Sequence, residues 1–320
     1  MDAPLIIAVP SKGRLKEQVE AWLADCALKL EAEGGARGYM ASLKGLEGAQ
    51  VRLLSAGDIA EAIDAGEAHL GVTGEDLMRE RPGDLAARAL LLRPLGFGRA
   101  DLVVATPKSW LDVETMGDLE EVAHDILART GRRMRVATKY ILQTRAFFAR
   151  HGLVDYRIVE SGGATEGAPA AGAAELVVDI TTTGATLEAN GLKVLDDGVI
   201  LRSQAHLAAS LRADWTEAHL QVTETLLRRV EARANARASA TLTWPEAEIG
   251  PTVQGVIDGL MSRGASRRPN GLLAPAGVVA EAGQALSTAG LGPITAAQPD
   301  FVFETASPGM DMLRAILAKI

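Results

Sequence analysis

Length, composition and charge limit the classes of protein to which this chain can belong. Its 320 residues, 48% hydrophobic and 23% charged, are typical of a globular protein with two or three domains. The net charge of −8 and the single cysteine, Cys26, argue against a broad nucleic-acid-binding surface and exclude an internal disulfide or a cysteine-rich zinc site. Since neither a secretory signal nor an apolar run of about 18 residues is found, we expect a cytoplasmic protein without a membrane partner.

In chain order, short apolar runs of strand character alternate with amphipathic segments of helical character. Such alternation predicts an α/β fold with mostly parallel sheets, in which ligands bind beyond the carboxyl ends of the strands. The runs predicted to be strands lie at residues 5–9, 51–56, 69–74, 101–107, 134–140, 156–161 and 175–180.

Residues 90–107, "LLLRPLGFGRADLVVATP", are too long for one average strand and carry two glycines in the middle. We therefore expect the chain to pass here from one sheet into a second, which predicts a two-lobed body. Residues 1–98 and 184–214 form the first predicted lobe and residues 99–183 the second. Residues 215–237 are predicted to be one long connecting helix.

Residues 238–320 are predicted to form a small C-terminal α/β domain. A strand at 238–244, a helix at 252–264, a loop at 265–271 and a helix at 278–290 are followed by a strand at 300–305 and a final helix at 310–320. Because every phosphate-directed motif of the chain lies before residue 200, we expect this domain to serve assembly or regulation.

The stretch "DITTTGATL" at residues 179–187 closes the last apolar run of the second lobe. A tight loop before a helix offers backbone N–H groups and hydroxyls to a phosphate, while Asp179 could accept hydrogen bonds from ribose hydroxyls. A helix cap and turn would explain the same residues, so the loop alone leaves both readings open. The predicted phosphate loop consists of Thr182, Thr183, Gly184, Ala185 and Thr186.

Two further strand ends in the first lobe carry polar residues. In "PSKGRL" at residues 10–15, Lys12 and Arg14 could meet a polyphosphate, although the chain has neither a Walker loop nor a complete G-x-G-x-x-G. In "GVTGEDLMRE" at residues 71–80, a helix start followed by favourable acids is the preferred explanation. The candidate binding residues of this second stretch are Thr73, Gly74, Glu75 and Asp76.

Two strand ends in the second lobe add to this set. "ATKY" at residues 137–140 carries Lys139 and Tyr140, and the glycine-rich stretch at 160–169 carries Glu166. The five histidines lack metal-ligand spacing, and no nucleophilic triad can be inferred. A surface turn explains the glycines but not why five strand ends carry ligand-like residues.

Taken together, "PSKGRL", "LGVTGEDLMRE", "RVATKY", "ESGGATEGAP" and "VVDITTTGATLEANGLKVL" resemble, in order and spacing, the catalytic core of the ATP phosphoribosyltransferase family. The resemblance covers about residues 4–235. It implies a two-lobed fold like that of type II periplasmic binding proteins. It also implies a reaction in which N1 of the ATP adenine attacks C1 of phosphoribosyl pyrophosphate, in the presence of Mg²⁺, and releases pyrophosphate, the first step of histidine biosynthesis.

The resemblance also implies roles for individual residues. The loop Thr182–Thr186 would hold the 5-phosphate of the donor, with Asp179 and Glu166 near the ribose hydroxyls. Lys12 and Arg14 would face substrate phosphates, and Lys139 with Tyr140 would line the opposite wall. Positioning together with cations can promote displacement at an anomeric carbon without a covalent nucleophile.

The predicted C-terminal domain departs from the family pattern. Long members end in a ferredoxin-like domain that binds histidine as a feedback inhibitor, whereas short members work with a catalytically silent relative of histidyl-tRNA synthetase. The core resembles the short form, yet the predicted β-α-α-β-α order of the extension does not match the long form's domain. A homo-oligomer is expected, and a hetero-oligomer with such a regulatory subunit is left open.

Two other functions are compatible with parts of the sequence. A type I phosphoribosyltransferase acting on a free base also places a Thr/Gly loop after an apolar strand, but such enzymes usually have two adjacent acids where only Asp179 stands here. A two-lobed solute-binding protein without chemistry would share the fold. The missing secretory signal and the phosphate-directed loop argue against the second alternative.

Overall fold

The computed structural model describes residues 3–33 and 39–320. Its strands are β1 (Leu5–Pro10), β2 (Lys29–Glu33), β3 (Met40–Lys44), β4 (Ala49–Leu54), β5 (Leu70–Gly74), β6 (Ala89–Pro94), β7 (Ala100–Pro107), β8 (Met134–Thr138), β9 (Tyr156–Glu160), β10 (Leu176–Thr181), β11 (Leu192–Ser203), β12 (Ala205–Ser210), β13 (Ser239–Thr243), β14 (Ser266–Arg268), β15 (Gly271–Pro275) and β16 (Thr295–Ala297). Its helices are α1 (Gly13–Asp25), α2 (Ala56–Ala65), α3 (Glu75–Arg79), α4 (Met116–Thr130), α5 (Ile141–Arg150), α6 (Ala185–Ala189), α7 (Glu217–Arg237), α8 (Pro251–Ser262), α9 (Val279–Thr288) and α10 (Pro308–Leu317).

Two sheets with the same internal order form the two lobes. The first runs β2-β3-β4-β1-β5-β12-β6 and the second β11-β7-β10-β8-β9. Each contains three parallel strands followed by one antiparallel strand, β12 in the first sheet and β7 in the second. The chain crosses between the sheets twice, from β6 to β7 and from β11 to β12. This arrangement confirms the predicted two-lobed fold like that of type II periplasmic binding proteins.

The parallel strands are buried on both faces, which explains their nearly continuous apolar sequences. In β1, Ile7 and Val9 enter one core of the first lobe, and Ala8 enters the core on the opposite face. In β10, Val178 enters one core of the second lobe and Val177 enters the core on the opposite face. With its interior filled on both sides, each sheet leaves the carboxyl ends of its strands for ligands.

The predicted return to the first lobe at Gly184 is wrong. Leu192–Ser203 forms β11, which pairs antiparallel with β7 in the second sheet, and Leu187 and Leu195 lie in cores of the second lobe. The chain re-enters the first lobe only at Gln204, just before β12. Gly184 marks a loop and not a crossing point, because the short helix after it packs back onto its own sheet.

The long helix predicted at residues 215–237 is confirmed as α7. Thr216 and His219 form a capping box at its start, and such a cap stabilises a helix end by about 1 kcal/mol. Leu226, Leu227 and Val230 pack into the core of the first lobe. The helix is therefore part of that lobe as well as its link to the C-terminal segment.

The C-terminal segment has a fold that its sequence did not indicate. Its elements run β13-α8-β14-β15-α9-β16, and its antiparallel sheet has the order β14-β15-β13-β16. That is the split β-α-β arrangement of ferredoxin-like domains. Leu242, Ile257, Leu272 and Leu286 lie in a core of its own. The predicted β-α-α-β-α order is therefore wrong.

Two segments of this domain differ from the predicted elements. The segment predicted as a loop at residues 265–271 contains β14, which forms a hairpin with β15, and Asn270 takes the positive φ of 49° that the turn requires. The segment predicted as a strand at 300–305 lies along α7, where the Val302 amide donates to the Ala232 carbonyl. The sheet is completed instead by β16.

The last helix does not belong to this domain. Met310 and Leu313 of α10 lie in the core of the first lobe, and the Gly309 amide donates to Glu231 of α7 at 2.9 Å. The predicted domain of residues 238–320 is thus divided: residues 239–297 carry the small sheet, and residues 308–317 complete the first lobe.

Candidate active site

The threonine loop leaves β10 at the carboxyl end of the second sheet and leads into α6. Gly184 has φ 77° and ψ −13°, a left-handed conformation that favours glycine, and its amide donates to Thr181 Oγ1 at 2.9 Å. The Thr182 hydroxyl donates to the Arg99 carbonyl at 3.2 Å. The Thr182 and Thr183 amides donate to no backbone carbonyl of residues 3–33 and 39–320. The loop is therefore fixed in shape while the Thr182 and Thr183 amides stay available as donors.

Thr183 and Thr186 are exposed. Thr183 Oγ1 accepts a long hydrogen bond, 3.4 Å, from the Ala185 amide, which gives this threonine the local turn role that the sequence left open. Its hydroxyl hydrogen is not used by that bond and can serve a ligand oxygen. The geometry is thus compatible with a phosphate-binding role of the loop and with a structural role as a turn before α6.

Asp179 lies on the last part of β10, half-buried, and its Oδ1 accepts from the Ile180 amide at 2.8 Å. Burial raises the pKa of this carboxyl above its ordinary value, and the neighbouring Glu166 carboxylate raises it further. The Ile180 amide, the Lys139 ammonium and the Thr165 hydroxyl lower it. Because β10, β8 and β9 are neighbours in the second sheet, three predicted site residues share its carboxyl edge: Lys139, Glu166 and Asp179.

Tyr140 does not line the cleft in the way predicted. Its side chain is 1% exposed, and its hydroxyl donates to Asp76 Oδ2 at 2.7 Å. Burial, followed by the Asp76 carboxylate, raises the pKa of the phenol, which therefore stays protonated and acts as a donor. The adjacent Lys139 is exposed, with Nζ 5.0 Å from the centre of the tyrosine ring. Of this pair, only the lysine faces outward.

The polar side chains between Thr73 and Asp76 bind other groups of the protein. Thr73 is fully buried and donates to the Ala56 carbonyl at 2.7 Å, and Asp76 is 5% exposed. Glu75 accepts from Arg79 at 2.6 Å. A Cβ on Gly74 would collide with the Asp76 carboxylate. Thr73 and Asp76 are thus not ligand contacts in this conformation, in agreement with the structural explanation that the sequence favoured.

Lys12 and Arg14 lie where predicted, at the carboxyl end of β1. Both are exposed, Lys12 is the N-terminal cap residue of α1, and Gly13 between them has φ 76°. No atom lies within 4 Å of a Cβ built on Gly13. The two cations are therefore presented to solvent on an open backbone turn.

Sequence reasoning missed two arginines at the crossings between the lobes. Arg99 and Arg202, with Asp101 and Ser203, line a cavity of about 390 Å³ that also touches Thr181 and Thr182 of the threonine loop. The glycine-flanked crossing predicted at residues 90–107 could have indicated Arg99. Arg202 could not be found, because the sequence predicts the second crossing near Gly184.

Two properties of the described part of the chain bear on metal binding and membrane association. In residues 3–33 and 39–320, no three His, Cys, Asp or Glu side chains are grouped as a metal ion would require. Among the helices of the same residues, none has the length and apolar character needed to cross a membrane.

A two-lobed α/β body with a threonine loop, a half-buried carboxylate and cations at its strand ends has the architecture and side chains that suit a phosphorylated ligand. The ATP phosphoribosyltransferase family model matches residues 55–232. ATP phosphoribosyltransferase of Caulobacter vibrioides is 62% identical over 321 residues, covering 100% of both chains. The chain therefore belongs to the ATP phosphoribosyltransferase family and is a pentosyltransferase.

Two other relatives show how far the likeness extends. The enzyme of the same name from Bradyrhizobium sp. is 58% identical over 236 residues, which cover 74% of this chain and 73% of the relative. An ATP phosphoribosyl transferase (HisG:HisZ) complex from Thermotoga maritima has a TM-score of 0.54 and 26% identity, and covers 71% of this chain and 98% of that one.

Proposed function

We propose that the chain joins phosphoribosyl pyrophosphate to N1 of the ATP adenine in the cleft between its lobes, releasing pyrophosphate, as the first step of histidine biosynthesis in the cytoplasm. Family membership supports the overall reaction. The observation that carries the assignment to this cleft is the fixed threonine loop beside the half-buried Asp179. That pair matches a phosphate and a ribose diol on one ligand.

The second lobe supplies the groups for the donor. The free amides and exposed hydroxyls of the threonine loop hold the 5-phosphate, and Asp179, supported by Glu166, accepts hydrogen bonds from the ribose hydroxyls. As the bond to pyrophosphate breaks, positive charge develops on the ribose and negative charge on the leaving group. A half-buried carboxylate beneath the ribose stabilises the first of these charges.

Cations stabilise the second charge. Lys12 and Arg14 follow β1 in the first lobe, and Arg99 and Arg202 line the cavity at the crossings; in the proposed complex they face the triphosphate and the departing pyrophosphate. The Lys139 ammonium, on the neighbouring strand end, lowers the pKa of Asp179. The chain needs no covalent nucleophile, because it holds both substrates in line and neutralises developing charge.

The donor set fits Mg²⁺ that arrives with the substrates. Mg²⁺ usually keeps several waters and takes one or two carboxylates plus substrate phosphates, and the described residues offer no group of three carboxylate or imidazole ligands. Asp179 and Glu166, whose carboxylate raises the pKa of Asp179, are the carboxylates that would hold it. When bound, Mg²⁺ neutralises charge on the pyrophosphate.

Replacing one hydroxyl of the loop tests its role. Thr183→Val should weaken binding of phosphoribosyl pyrophosphate by the loss of one hydrogen bond to a charged group, about 1.5–3 kcal/mol, or roughly 10- to 100-fold in Kd. Calorimetric titration with the donor measures this loss. Thr252→Val, at another exposed threonine, is the matched control and should bind like the wild type. A lower melting temperature with unchanged donor affinity would assign Thr183 to the turn alone.

The pH dependence of turnover tests the Asp179 carboxylate. Activity should fall at low pH as Asp179 is protonated, and it should do so above the usual range for aspartate because burial raises this pKa. Glu166→Gln removes a carboxylate that raises it further, so the acid limb of the kcat/KM profile should shift to lower pH. Glu160→Gln, an exposed neighbour in sequence, should leave the limb in place. An acid limb that does not respond to Glu166→Gln would contradict this assignment.

We also propose that the ferredoxin-like domain makes the chain a histidine-regulated homo-oligomer that is active without a second protein. The support is the β-α-β-β-α-β order of residues 239–297, the order of the histidine-binding domain in long members of the family. The alternative is the arrangement of the Thermotoga relative, which was solved as a complex of two proteins.

Excising the domain tests this proposal while keeping α10 in the first lobe. Gln298 donates to the Arg237 carbonyl at 3.5 Å, so a short Gly-Ser linker can replace residues 239–298. We expect the variant to bind the donor normally, to lose inhibition by histidine and to sediment as a smaller species. Unchanged inhibition and sedimentation would remove the domain from both roles, and a wild type that is inactive until a partner protein is added would favour the two-protein form.

A further inference from the structure

A buried carboxylate joins the two lobes next to the proposed active site. Asp76, at the start of α3 in the first lobe, has Oδ2 2.7 Å from the hydroxyl of Tyr140 in the second lobe. Its Oδ1 accepts from the Ser203 hydroxyl at 2.8 Å, and its own amide donates back to Ser203 Oγ at 3.1 Å. Ser203 ends β11, where the chain leaves the second lobe. One carboxylate therefore meets the first lobe, the second lobe and the crossing between them.

A second set of hydrogen bonds surrounds the first. Gln143 Nε2 donates to the Asp76 carbonyl at 2.9 Å. The two carboxylate oxygens of Glu80, in the first lobe, accept from the Leu142 and Gln143 amides at 2.7 and 3.2 Å. These amides are at the N-terminus of α5, whose own cap residue, Tyr140, provides no side-chain cap. The first lobe thus caps a helix of the second.

Burial makes this geometry specific. Asp76, Tyr140 and Ser203 are 5%, 1% and 4% exposed, so each polar group depends on its partners and has little water to replace them. Gly74 is required as well, because a Cβ there would collide with the carboxylate. Opening the lobes would leave several buried polar groups without partners at once.

Two cations of the proposed active site directly precede Tyr140 and Ser203 in the sequence. Lys139 precedes Tyr140 and follows β8, the strand paired with the Asp179 strand β10, and Arg202 precedes Ser203 and lines the cavity at the threonine loop. Fixing Tyr140 and Ser203 on one carboxylate therefore fixes the backbone from which both cations extend.

We propose that Asp76, Tyr140 and Ser203 form an interlobe latch that sets the angle at which the two halves of the active site face each other. The three are positioning residues: they hold Lys139, Arg202 and the threonine loop opposite Lys12 and Arg14 for in-line transfer. The expected effect of the latch on kcat rests on the proposed function, whereas its expected effect on the angle between the lobes does not. Donor binding, which rests mainly on the 5-phosphate and ribose contacts of the second lobe, should depend little on the latch, whereas turnover, which needs both lobes, should depend on it strongly.

Two conservative variants of the full-length chain separate these effects. Tyr140→Phe removes one hydroxyl that donates to Asp76 and keeps the ring. Ser203→Ala removes the other such hydroxyl. We expect each to lower kcat roughly 10- to 100-fold, as misplacement by about 1 Å does, while the Kd for phosphoribosyl pyrophosphate stays within about twofold. Because both act through one carboxylate, the double variant should lose less than the product of the single losses. Tyr156→Phe, a tyrosine of the same lobe outside the latch, should match the wild type.

A distance measurement tests the latch without turnover. Spin labels on Glu17→Cys in α1 and Glu121→Cys in α4, both exposed positions, report the separation of the lobes, and the buried Cys26 is spared from labelling. Substrate-free Tyr140→Phe and Ser203→Ala should show a broader or longer distribution than the wild type and Tyr156→Phe. Unchanged distances and unchanged kcat in both variants would overturn the proposal, as would loss of donor affinity with kcat preserved. A wild type that makes no product, with broadened distances in the variants, would refute the proposed function and leave the latch standing.

Discussion

The Asp179→Asn variant is expected to lose at least tenfold, and up to about 10³-fold, in kcat/KM while melting at a higher temperature than the wild type. Asparagine keeps the shape but removes the charge, so one or two hydrogen bonds from ribose hydroxyls to a charged acceptor are weakened, each contributing about 1.5–3 kcal/mol. The stabilisation of developing positive charge on the ribose is lost as well.

The opposite effect on stability follows from the direction of the pKa shift. Burial raises the Asp179 pKa in the folded chain, so the folded state binds this proton more tightly than the unfolded state does. The free energy of unfolding therefore falls as the pH rises from the unfolded pKa through the folded pKa, and at neutral pH the ionised group destabilises the fold. Asparagine removes that contribution.

Steady-state kinetics and thermal melting at neutral pH measure both effects. Asp112→Asn, at an exposed loop position, is the control and should change neither. If Asp179→Asn were to lower the melting temperature and leave kcat/KM intact, the carboxylate would be structural, and its assignment to the ribose would fail.

Arg88→Met should cause the largest loss of stability, about 3 kcal/mol or more. Arg88 is 2% exposed; its guanidinium lies 3.0 Å from Asp64 and donates to the Met78 and Arg81 carbonyls at 3.3 and 3.2 Å. Removing one partner of a buried pair typically costs about 3–5 kcal/mol. Asp64 would still form an ion pair with Arg212 at 3.2 Å, so we expect a loss at the lower end of this range of about 3–5 kcal/mol.

Chemical denaturation of Arg88→Met, compared with Arg129→Met, measures this loss. Arg129 pairs with Asp125 on the exposed surface of α4, where such a pair contributes about 0.3–0.5 kcal/mol. A double variant, Arg88→Met with Asp64→Leu, should recover part of the loss because no buried charge remains. Equal destabilisation by the two single variants would contradict the role given to Arg88 as a buried anchor of the first lobe.

The sequence predicted the features of the fold that depend on local pattern. Alternation of apolar and amphipathic segments indicated the α/β class, and the glycines within residues 90–107 indicated the first crossing. It failed where the outcome depends on distant partners. Residues 192–203 join the second sheet because β7 pairs with them, and the aromatic segment at 300–305 packs on α7 although its composition favours a strand.

The candidate site was predictable to a similar degree. Lys139 follows β8, Glu166 follows β9 and Asp179 lies near the end of β10, and their place at one sheet edge follows from the convergence of parallel strand ends. Their individual roles stay predictions. Tyr140 and Asp76 are candidate binding residues in the sequence because each stands at a strand end, yet each is the other's buried partner across the lobes. A pairing 64 residues apart leaves no trace in a single sequence.

The most direct test of the account is to mix the chain with ATP, phosphoribosyl pyrophosphate and Mg²⁺ and to identify the products by mass spectrometry and phosphorus NMR. We predict phosphoribosyl-ATP and pyrophosphate in equal amounts, with the ribose attached at N1 of the adenine, and no product when free adenine replaces ATP. Consumption of adenine or orotate with ATP untouched would contradict the account in favour of a free-base phosphoribosyltransferase. Binding of the donor without any transfer, with or without a partner protein, would contradict it in favour of a binding protein.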